Sequence, residues 1–200
     1  MDDLLIVEKP NSISYEDIQN ILRRAHSVNK EKGMNFLTAD QSVDRLIERL
    51  SNNGKCYVVL TQEGKLVGTN SVTEKIINKW YFKGRIAYFE LTGLDPQYQG
   101  KHIGSQMYRI GLKDVERRGL SICGSNTAEN NMPQRQLFES KGFKLVGYRA
   151  SVGKNYYTVD YVKWMGKCPY EDNYIKLRAF LSKIYIKVRF KVGGVKRFGL

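Results

Sequence analysis

The run Leu91–Ser105 has residue types and spacing suited to binding a phosphate group. It predicts a strand that leads into a glycine-containing turn and then into a helix. The backbone N–H groups of such a turn point towards one place, and the first N–H groups of a helix have no internal partners. Because the helix dipole adds positive potential there, an anion is stabilised at this position. Gly100 and Gly104 would let the backbone approach a bulky anion without a Cβ in the way.

On these residues alone, a glycine-bearing loop without a ligand is the alternative interpretation. The run fits neither the Walker pattern nor the dinucleotide-binding GxGxxG pattern, so its glycines do not indicate a common nucleotide site.

Two motifs of the chain, in this order, resemble those of the GNAT N-acetyltransferase superfamily. The family's acetyl-CoA-binding pattern is Gln or Arg, two residues, Gly, one residue, then Gly or Ala. Gln99-Gly100-Lys101-His102-Ile103-Gly104 matches it at Gln99 and Gly104, and His102 replaces the middle glycine. The second motif is Asn131 followed by Leu137-Phe138-Glu139-Ser140-Lys141-Gly142-Phe143, which is similar to the family's Asn…Leu-Tyr-Glu-x-x-Gly-Phe signature.

The resemblance implies acetyl-CoA as cosubstrate and no metal. It implies that pantetheine lies between two splayed strands, Phe89–Leu94 and Leu120–Cys123. The N–H of Leu94 would hold the thioester carbonyl, where negative charge develops, and Asn131 would contact the pantetheine arm. Phe138 stands where the family often has a tyrosine that protonates the departing thiolate, so that role is vacant here. The turn positions implied to bind the pyrophosphate are Gln99, Gly100, Lys101, His102, Ile103, Gly104 and Ser105.

Direct attack by an amine requires its neutral form, and a lysine-like amine has a pKa of about 10.4. A general base is therefore useful, and several family members have a catalytic glutamate on one face of the strand that precedes the turn. Glu90 is the candidate. Its alternative is a structural carboxylate paired with a nearby lysine. Strict alternation of side chains predicts two faces for this strand: Ala87, Phe89, Leu91 and Gly93 on one, and Tyr88, Glu90, Thr92 and Leu94 on the other.

Other candidate residues each have a structural alternative. His102 could be catalytic, or it could be a tolerated departure whose backbone N–H still serves the phosphate. Phe138 is counted among the cofactor-binding positions through the resemblance, with core packing as the preferred interpretation, and Cys123 is interpreted as a buried strand residue. The residues that could replace the missing acid are Tyr148, Tyr156 and Tyr157, and those that could line the cleft are Ser125 and Asn126.

Composition excludes several classes of protein. The 200-residue chain has 42% hydrophobic and 26% charged residues, which is typical of a globular protein. Three separated cysteines and two histidines support neither a disulfide framework nor a metal site. The acidic start of the chain does not resemble a secretory signal, and no apolar run has the length of a membrane span. The expected location is the cytoplasm.

Positive charge is concentrated at the C-terminus. The net charge is +13, and residues 173–200 contain eight bases and no acid, which leaves +5 for residues 1–172. Leu177, Phe180, Leu181, Ile184 and Val188 form a helical stripe in this segment, although the pattern from Ile184 to Val192 also alternates like a strand. Such a basic amphipathic segment could bind an anionic membrane or nucleic acid. The alternative is a solvated helix packed on its own domain or on a second subunit of a homodimer.

Hydrophobic periodicity predicts the order strand, two helices, three strands, helix, strand, helix, two strands and tail. This order agrees with the GNAT resemblance across about residues 3–164. The expected fold is mixed α/β: one twisted, mostly antiparallel sheet with a splayed central strand pair, helices on both faces, and a basic helical appendage. The expected domains are residues 1–166 and an extension, residues 167–200. Predicted features include a strand at Leu4–Val7, helix caps at Ser14 and Asp40, an aromatic loop at Asn78–Gly84, and a short strand at Leu120–Cys123.

Three functions remain open from the sequence. The first is transfer of an acetyl group from acetyl-CoA to a primary amine of an unidentified acceptor. The second is an acyl-CoA-binding sensor or scaffold without turnover, which the departures at His102 and Phe138 favour. The third is an adaptor that acts through its basic tail on a membrane or nucleic acid.

Overall fold

Seven strands form one sheet in a computed structural model, which describes residues 4–31, 33, 34, 36, 38–51, 53–150 and 154–192. The strands are β1 (Leu5–Glu8), β2 (Lys55–Leu60), β3 (Leu66–Lys79), β4 (Phe82–Leu94), β5 (Ile122–Ala128), β6 (Lys144–Arg149) and β7 (Thr158–Trp164). Their spatial order is β1-β2-β3-β4-β5-β7-β6. Every adjacent pair is antiparallel except β4 and β5, which are parallel.

The helices are α1 (Tyr15–Ala25), α2 (Ser27–Glu31), α3 (Val43–Ser51), α4 (Ile103–Arg117), α5 (Met132–Ser140) and α6 (Asp172–Val192). A 3-10 turn spans Pro96–Tyr98. Ser14 caps α1 as predicted: its hydroxyl accepts from the Asp17 N–H, and the Asp17 carboxylate accepts from the Ser14 N–H, which is a capping box.

Helices cover both faces of the sheet, and each face has its own core. Tyr108 and Phe138, from α4 and α5, pack with Phe89 on one face. Ile18, Leu22 and Leu46, from α1 and α3, pack with Leu91 on the other. The second face also carries α6, whose Ile175 packs with Ile86, Ile122 and Val162. The predicted mixed α/β fold, with a mostly antiparallel sheet and helices on both faces, is confirmed.

The central parallel pair separates soon after it forms. Only Ala87 and Tyr88 of β4 pair with Cys123 and Gly124 of β5. Beyond them β4 continues to Leu94 and β5 to Ala128 without further pairing. The predicted splay is therefore present, and it leaves a gap in the middle of the sheet.

One predicted feature of β4 is wrong. Thr69 pairs with Gly93 and Ser71 pairs with Glu90, so β4 has one more residue than β3 in this interval. This is a β-bulge, and Leu91 has a left-handed φ of 52° within it.

The bulge reverses the faces that strict alternation predicts beyond Glu90. Leu91 packs with α1 and α3 instead of with Phe89. A Cβ at Gly93 would meet Ala25 of α1 at 2.9 Å, whereas Leu94 packs against Ile103 and Met107 of α4. Glu90 and Leu91 therefore follow each other on the same face of the sheet.

Several predicted boundaries also require correction. The cap at Asp40 is wrong, because α3 begins at Val43 and Ser42 Oγ accepts from Arg45 N at 3.4 Å. The prediction of a loop at Asn78–Gly84 is wrong as well. β3 and β4 continue to a tight hairpin, whose aromatic tip packs under α6 beside Ile175. Strand β5 is longer than predicted, since it extends along β7 to Ala128.

The C-terminal segment is helical as far as Val192, so the strand alternative is wrong. Among residues 172–189 of α6, Ile175, Ala179 and Ile186 are buried, and Ser182 Oγ accepts from the Tyr148 N–H of β6 at 2.9 Å. The predicted apolar stripe (Leu177, Phe180, Leu181, Ile184 and Val188) faces solvent, with exposed fractions of 42–59%. The helix therefore packs on its own domain, as one alternative expects, but through Ile175, Ala179 and Ile186 and not through the predicted stripe.

Candidate active site

A turn with two left-handed residues connects β4 to α4 at the position predicted for the phosphate cradle. Gly100 has a φ of 77° and His102 a φ of 61°. The first main-chain hydrogen bond of α4 runs from Gln106 N to His102 O at 3.2 Å. The amides of Ile103, Gly104 and Ser105 consequently have no acceptor within the helix. The cradle therefore presents adjacent N–H donors at a positive helix end, as an anion requires.

Side chains fix the position of this cradle. Gln99 Nε2 donates to the Leu94 carbonyl at 2.8 Å and to the Ala25 carbonyl at 3.5 Å, so this side chain joins the end of β4 to α1. Ile103 is buried in the core beside Val59 and Met107. Lys101 is exposed, with its ammonium group 5.4 Å from the centre of the Tyr98 ring.

His102 occupies its special position through its backbone. It is the N-cap residue of α4, and its side chain makes no capping hydrogen bond. A left-handed residue other than glycine costs about 1–2 kcal/mol, which explains why glycine suits this position. The side chain is exposed, so the geometry matches the interpretation of a tolerated departure.

The end of β4 presents a donor to the gap in the sheet. Asp95 N donates to the Val67 carbonyl of β3 at 2.8 Å. Because successive N–H groups of a strand point in opposite directions, the N–H of Leu94 points away from β3 and towards the gap. An acyl oxygen in the gap would meet this donor.

A cavity of about 880 Å³ passes through the gap. Tyr108, Gln134 and Asn131 line its α4–α5 side, and Glu90 and Arg49 line its α3 side. Asn131 caps α5, where its side chain accepts from Gln134 N at 3.5 Å and donates to Thr127 Oγ1 at 3.1 Å. Ser125 and Asn126, the predicted cleft residues, also line the cavity.

Glu90 lies in this cavity with an 8% exposed side chain. Its Oε1 accepts from Thr73 Oγ1 at 2.7 Å, and its Oε2 accepts from Lys75 Nζ at 2.7 Å. Arg49 Nη2 is 3.6 Å from the same Oε2. The geometry agrees with both interpretations of Glu90. The side chain faces the cavity, as a general base requires, and it is paired with Lys75, as a structural carboxylate would be.

Phe138 lies in the core and does not line the cavity. It is fully buried, and its ring contacts those of Tyr108, Phe143 and Tyr161 at centroid distances of 5.6, 5.6 and 5.1 Å. Packing fully explains this side chain.

Tyr108 is a cavity residue that sequence reasoning missed. Its phenol oxygen accepts from Gln134 Nε2 at 3.2 Å and lies 3.5 Å from Ser125 Oγ. Burial raises the pKa of Tyr108 to about 12, so the phenol keeps its proton at neutral pH. Its ring stacks on Phe89 at 4.9 Å. The only signal in the sequence was an aromatic residue one turn into α4, which an apolar helix face explains equally well.

The remaining tyrosine candidates differ in position. Tyr156 lines the cavity, Tyr148 packs beneath the ammonium group of Lys183 at 4.9 Å, and Tyr157 is absent from the cavity lining. Cys123 is buried in the core, and burial raises the pKa of its thiol to about 12.

The α1–α3 side of the cavity carries an aromatic stack that includes a histidine. His26 stacks on Phe36 at 5.0 Å, and Phe36 contacts Tyr156 at 5.2 Å. Burial lowers the pKa of His26, which favours the neutral imidazole. Sequence reasoning missed this wall because His26 follows the end of α1 and Phe36 lies in irregular chain.

Positive charge exceeds negative charge around the cavity. Among the lining residues that the structure describes, Asp40, Glu90 and Asp160 are the acids, and the six bases are Arg45, Arg49, Lys75, Lys79, Arg149 and Lys154. Arg149 Nε donates to both carboxylate oxygens of Asp160 at 3.0 Å. Burial lowers the pKa of Lys154, and the charges of Arg149 and Arg49 lower it further.

In the described part of the chain, no group of three or more His, Cys, Asp or Glu is arranged to hold a metal ion. None of the described helices is long and apolar enough to cross a membrane.

Comparison with known proteins gives a family. A family model described as "Acetyltransferase (GNAT) family" matches residues 15–143. A ribosomal protein alanine N-acetyltransferase of Escherichia coli (strain K12) is 27% identical over 109 residues, which are 54% of this chain and 66% of that relative. The match thus spans slightly less than two thirds of the relative's length.

Solved structures share the fold at low sequence identity. The crystal structure of the Escherichia coli ribosomal-protein-alanine N-acetyltransferase has a TM-score of 0.58 and 16% identity, covering 84% of this chain and 99% of that chain. A GNAT family acetyltransferase from Elizabethkingia anophelis with acetyl-CoA bound has a TM-score of 0.58 and 13% identity, covering 82% and 100%. A Streptococcus pneumoniae member has a TM-score of 0.61 and 18% identity, covering 82% and 100%.

The backbone role of His102 predicts the effect of two substitutions. Since glycine adopts a positive φ without strain, His102→Gly should stabilise the fold by about 1 kcal/mol, or roughly 2–4 °C in Tm, and leave coenzyme A binding unchanged. Lys101→Gly is the matched control. Lys101 is exposed and is not among the residues with positive φ, so this substitution should lower Tm. Thermal melts and calorimetric titration would show this, and loss of coenzyme A binding in His102→Gly would assign the imidazole a direct contact.

Proposed function

Because the chain belongs to the GNAT acetyltransferase family, we propose that it transfers an acetyl group from acetyl-CoA to a primary amine. The observation that carries the proposal is the arrangement of the end of β4. Strand β4 separates from β5 after Tyr88, the Leu94 N–H at its end points away from β3, and the unpaired first amides of α4 follow in the chain. A cytoplasmic location is part of this proposal.

The residues present fit coenzyme A. Gly104 has no close packing neighbour that requires glycine, since an added Cβ would only reach ordinary contact with Leu137 at 3.4 Å. Its open backbone suits close approach of a pyrophosphate. The amides from Gly100 to Ser105 would hold this group, and Asn131 at the cavity wall would contact the pantetheine arm. Acetyl-CoA, when bound, supplies an activated acetyl group.

Glu90 is proposed as the general base. Its carboxylate faces the cavity on the α3 side, where an amine entering opposite the cradle would arrive. Thr73, Lys75 and Arg49 hold both oxygens in a fixed position. The surplus of positive charge around the cavity also lowers the pKa of a bound amine, which reduces the proton-accepting work left to Glu90.

Tyr108 is proposed to take the role left vacant by Phe138. Gln134 donates to its oxygen, and Ser125 Oγ, which donates to the Phe89 carbonyl, is a long 3.5 Å from it. The phenol proton would leave this weak contact for a sulfur in the gap. A phenol with a pKa of about 12 does not fully protonate a thiolate whose conjugate acid has a pKa of about 8.5. Tyr108 would therefore stabilise the thiolate by a hydrogen bond.

An assay of acetyl transfer tests the proposal. Purified protein with acetyl-CoA should release free thiol and form amide across a panel of primary amines. The panel should pair amino acids with the same amines lacking the carboxylate, because the basic cavity favours an anionic acceptor. Tight coenzyme A binding without transfer to any acceptor would favour the second candidate, an acyl-CoA sensor. The ion pairing of Glu90 is the observation that keeps this candidate open.

Replacement of Glu90 tests the base. Glu90→Gln should lower turnover at neutral pH and leave coenzyme A affinity unchanged. The deficit should shrink as pH rises towards the pKa of the acceptor, because more amine is then already neutral. The matched control is Glu74→Gln, since Glu74 is paired with Arg85 and Arg118 and does not line the cavity. An undiminished rate at neutral pH, or a deficit independent of pH, would remove Glu90 from proton transfer.

Replacement of Tyr108 tests the thiolate donor. Tyr108→Phe keeps the aromatic packing and removes one hydrogen bond to a charged atom, so kcat should fall about 10- to 100-fold with coenzyme A affinity retained. Phe143→Leu, which disturbs the same aromatic cluster away from the cavity, controls for packing. Steady-state kinetics with thermal melts separate the two effects. A normal kcat in a stable Tyr108→Phe variant would exclude this role.

A further inference from the structure

Helix α6 presents large apolar side chains to solvent that acetyl transfer does not use. Leu177, Leu181, Ile184 and Val188 are 42–54% exposed, and Phe180 and Tyr185 beside them are 59% and 61% exposed. Monomeric proteins rarely expose a contiguous apolar surface of this kind, and such surfaces mark interaction sites.

Two opposite faces of α6 have the same residue spacing. The inner face consists of Ile175, Ala179, Ser182 and Ile186, which lie against the sheet. The outer face consists of Leu177, Leu181, Ile184 and Val188. Each of these residues follows its counterpart on the inner face by two positions. Two residues correspond to a rotation of about 200°. The outer face therefore points away from the sheet, and the fold leaves it uncovered in the described residues.

Basic residues border the outer face on both sides. By helical spacing, Lys176, Lys183 and Lys187 lie along one border and Arg178 and Arg189 along the other. The guanidinium group of Arg178 turns back towards the domain, where it lies 5.2 Å from the centre of the Trp80 ring. Among the described residues, Lys183 is the only one of these five in an ion pair, with Glu129. No acid follows Asp172 in the sequence, and Asp172 itself is paired with Lys144.

We propose that the outer face of α6 binds an anionic membrane surface. An interfacial helix has an apolar stripe that enters the acyl boundary and flanking bases that meet lipid phosphates and carboxylates. Lysine and arginine at the borders extend their ammonium and guanidinium groups towards the headgroups while their methylene stems cover apolar surface. The outer face of α6 has both features, in the required positions.

Charge argues against two other occupants. In a second copy docked through the same face, the unpaired bases of both helices would meet around the contact, and like charges repel. Nucleic acid would match the bases, but it would leave the apolar stripe without a role. An anionic bilayer satisfies the bases and the stripe together.

Vesicle binding by the full chain tests the proposal. The probes are vesicles of phosphatidylcholine with phosphatidylserine and vesicles of phosphatidylcholine alone, measured by co-sedimentation. The chain should bind the anionic vesicles at least about tenfold more tightly, since each basic residue near the surface contributes attraction. Binding should weaken as salt rises, and a residual part should persist because apolar burial is not screened.

Two variants separate the apolar and basic contributions. Leu177→Gln with Leu181→Gln should reduce binding to anionic vesicles at least about tenfold, by removing apolar area from the interface. Lys176→Gln with Lys187→Gln should reduce the salt dependence of binding. Ile76→Gln is the matched control, since Ile76 is 87% exposed on β3 and lies outside α6. All these residues are surface residues, so Tm and acetyl transfer should be unchanged.

Three results would overturn the proposal. One is the absence of vesicle binding by the full chain at low salt. Another is a dimer in sedimentation velocity that Leu177→Gln with Leu181→Gln dissociates, which would assign the face to a second copy. The third is RNA binding that is lost in the lysine variant and kept in the leucine variant, with vesicles ignored.

Discussion

One extra residue in β4 is the constraint on which the site depends. The bulge opposite Asn70 gives Leu91 a left-handed conformation and places Glu90 and Leu91 on the same face. Glu90 keeps the face that alternation assigns to it, beside α3, and Leu91 joins it there and fills the core under α1. Beyond the bulge, Leu94 packs on α4, and the chain continues from the end of β4 into the turn of the proposed cradle. Bulges next to active sites commonly re-aim side chains in this way.

Helix α4 contributes both to the proposed phosphate site and to the proposed site of the departing thiolate. Its first turn contributes the amides of the cradle, and Tyr108, in its second turn, brings a phenol to the cavity wall. Phe89 and Phe138 pack against the Tyr108 ring and hold it in place. The aromatic core is therefore the support of the site as well as a source of stability, because the position of the phenol follows from packing on both sides.

Local features of the fold and site were predictable from the sequence. The cap at Ser14 and the turn at Gly100–Gly104 rest on short spacings, and the position of Asn131 at the site rests on the resemblance to the GNAT family. The bulge was not predictable, because Leu91 suits an apolar core on either face and gives no sign that the side-chain alternation shifts. The positions of Tyr108 and His26 at the cavity wall were not predictable either, because they depend on tertiary packing. The orientation of α6 was missed because both of its faces are apolar with the same spacing, so periodicity does not tell which one the sheet covers.

The most direct test of the account measures coenzyme A binding by three glycine variants in calorimetric titrations. Gly104→Glu puts a negative charge among the cradle amides and should weaken binding more than about a hundredfold. Gly104→Ala, whose added Cβ only reaches contact distance from Leu137, should fold and bind far better. Gly166→Glu, with the same charge change at an open position after β7, should bind like the unmodified chain. Unchanged affinity in a folded Gly104→Glu variant would contradict the claim that the start of α4 holds the cosubstrate.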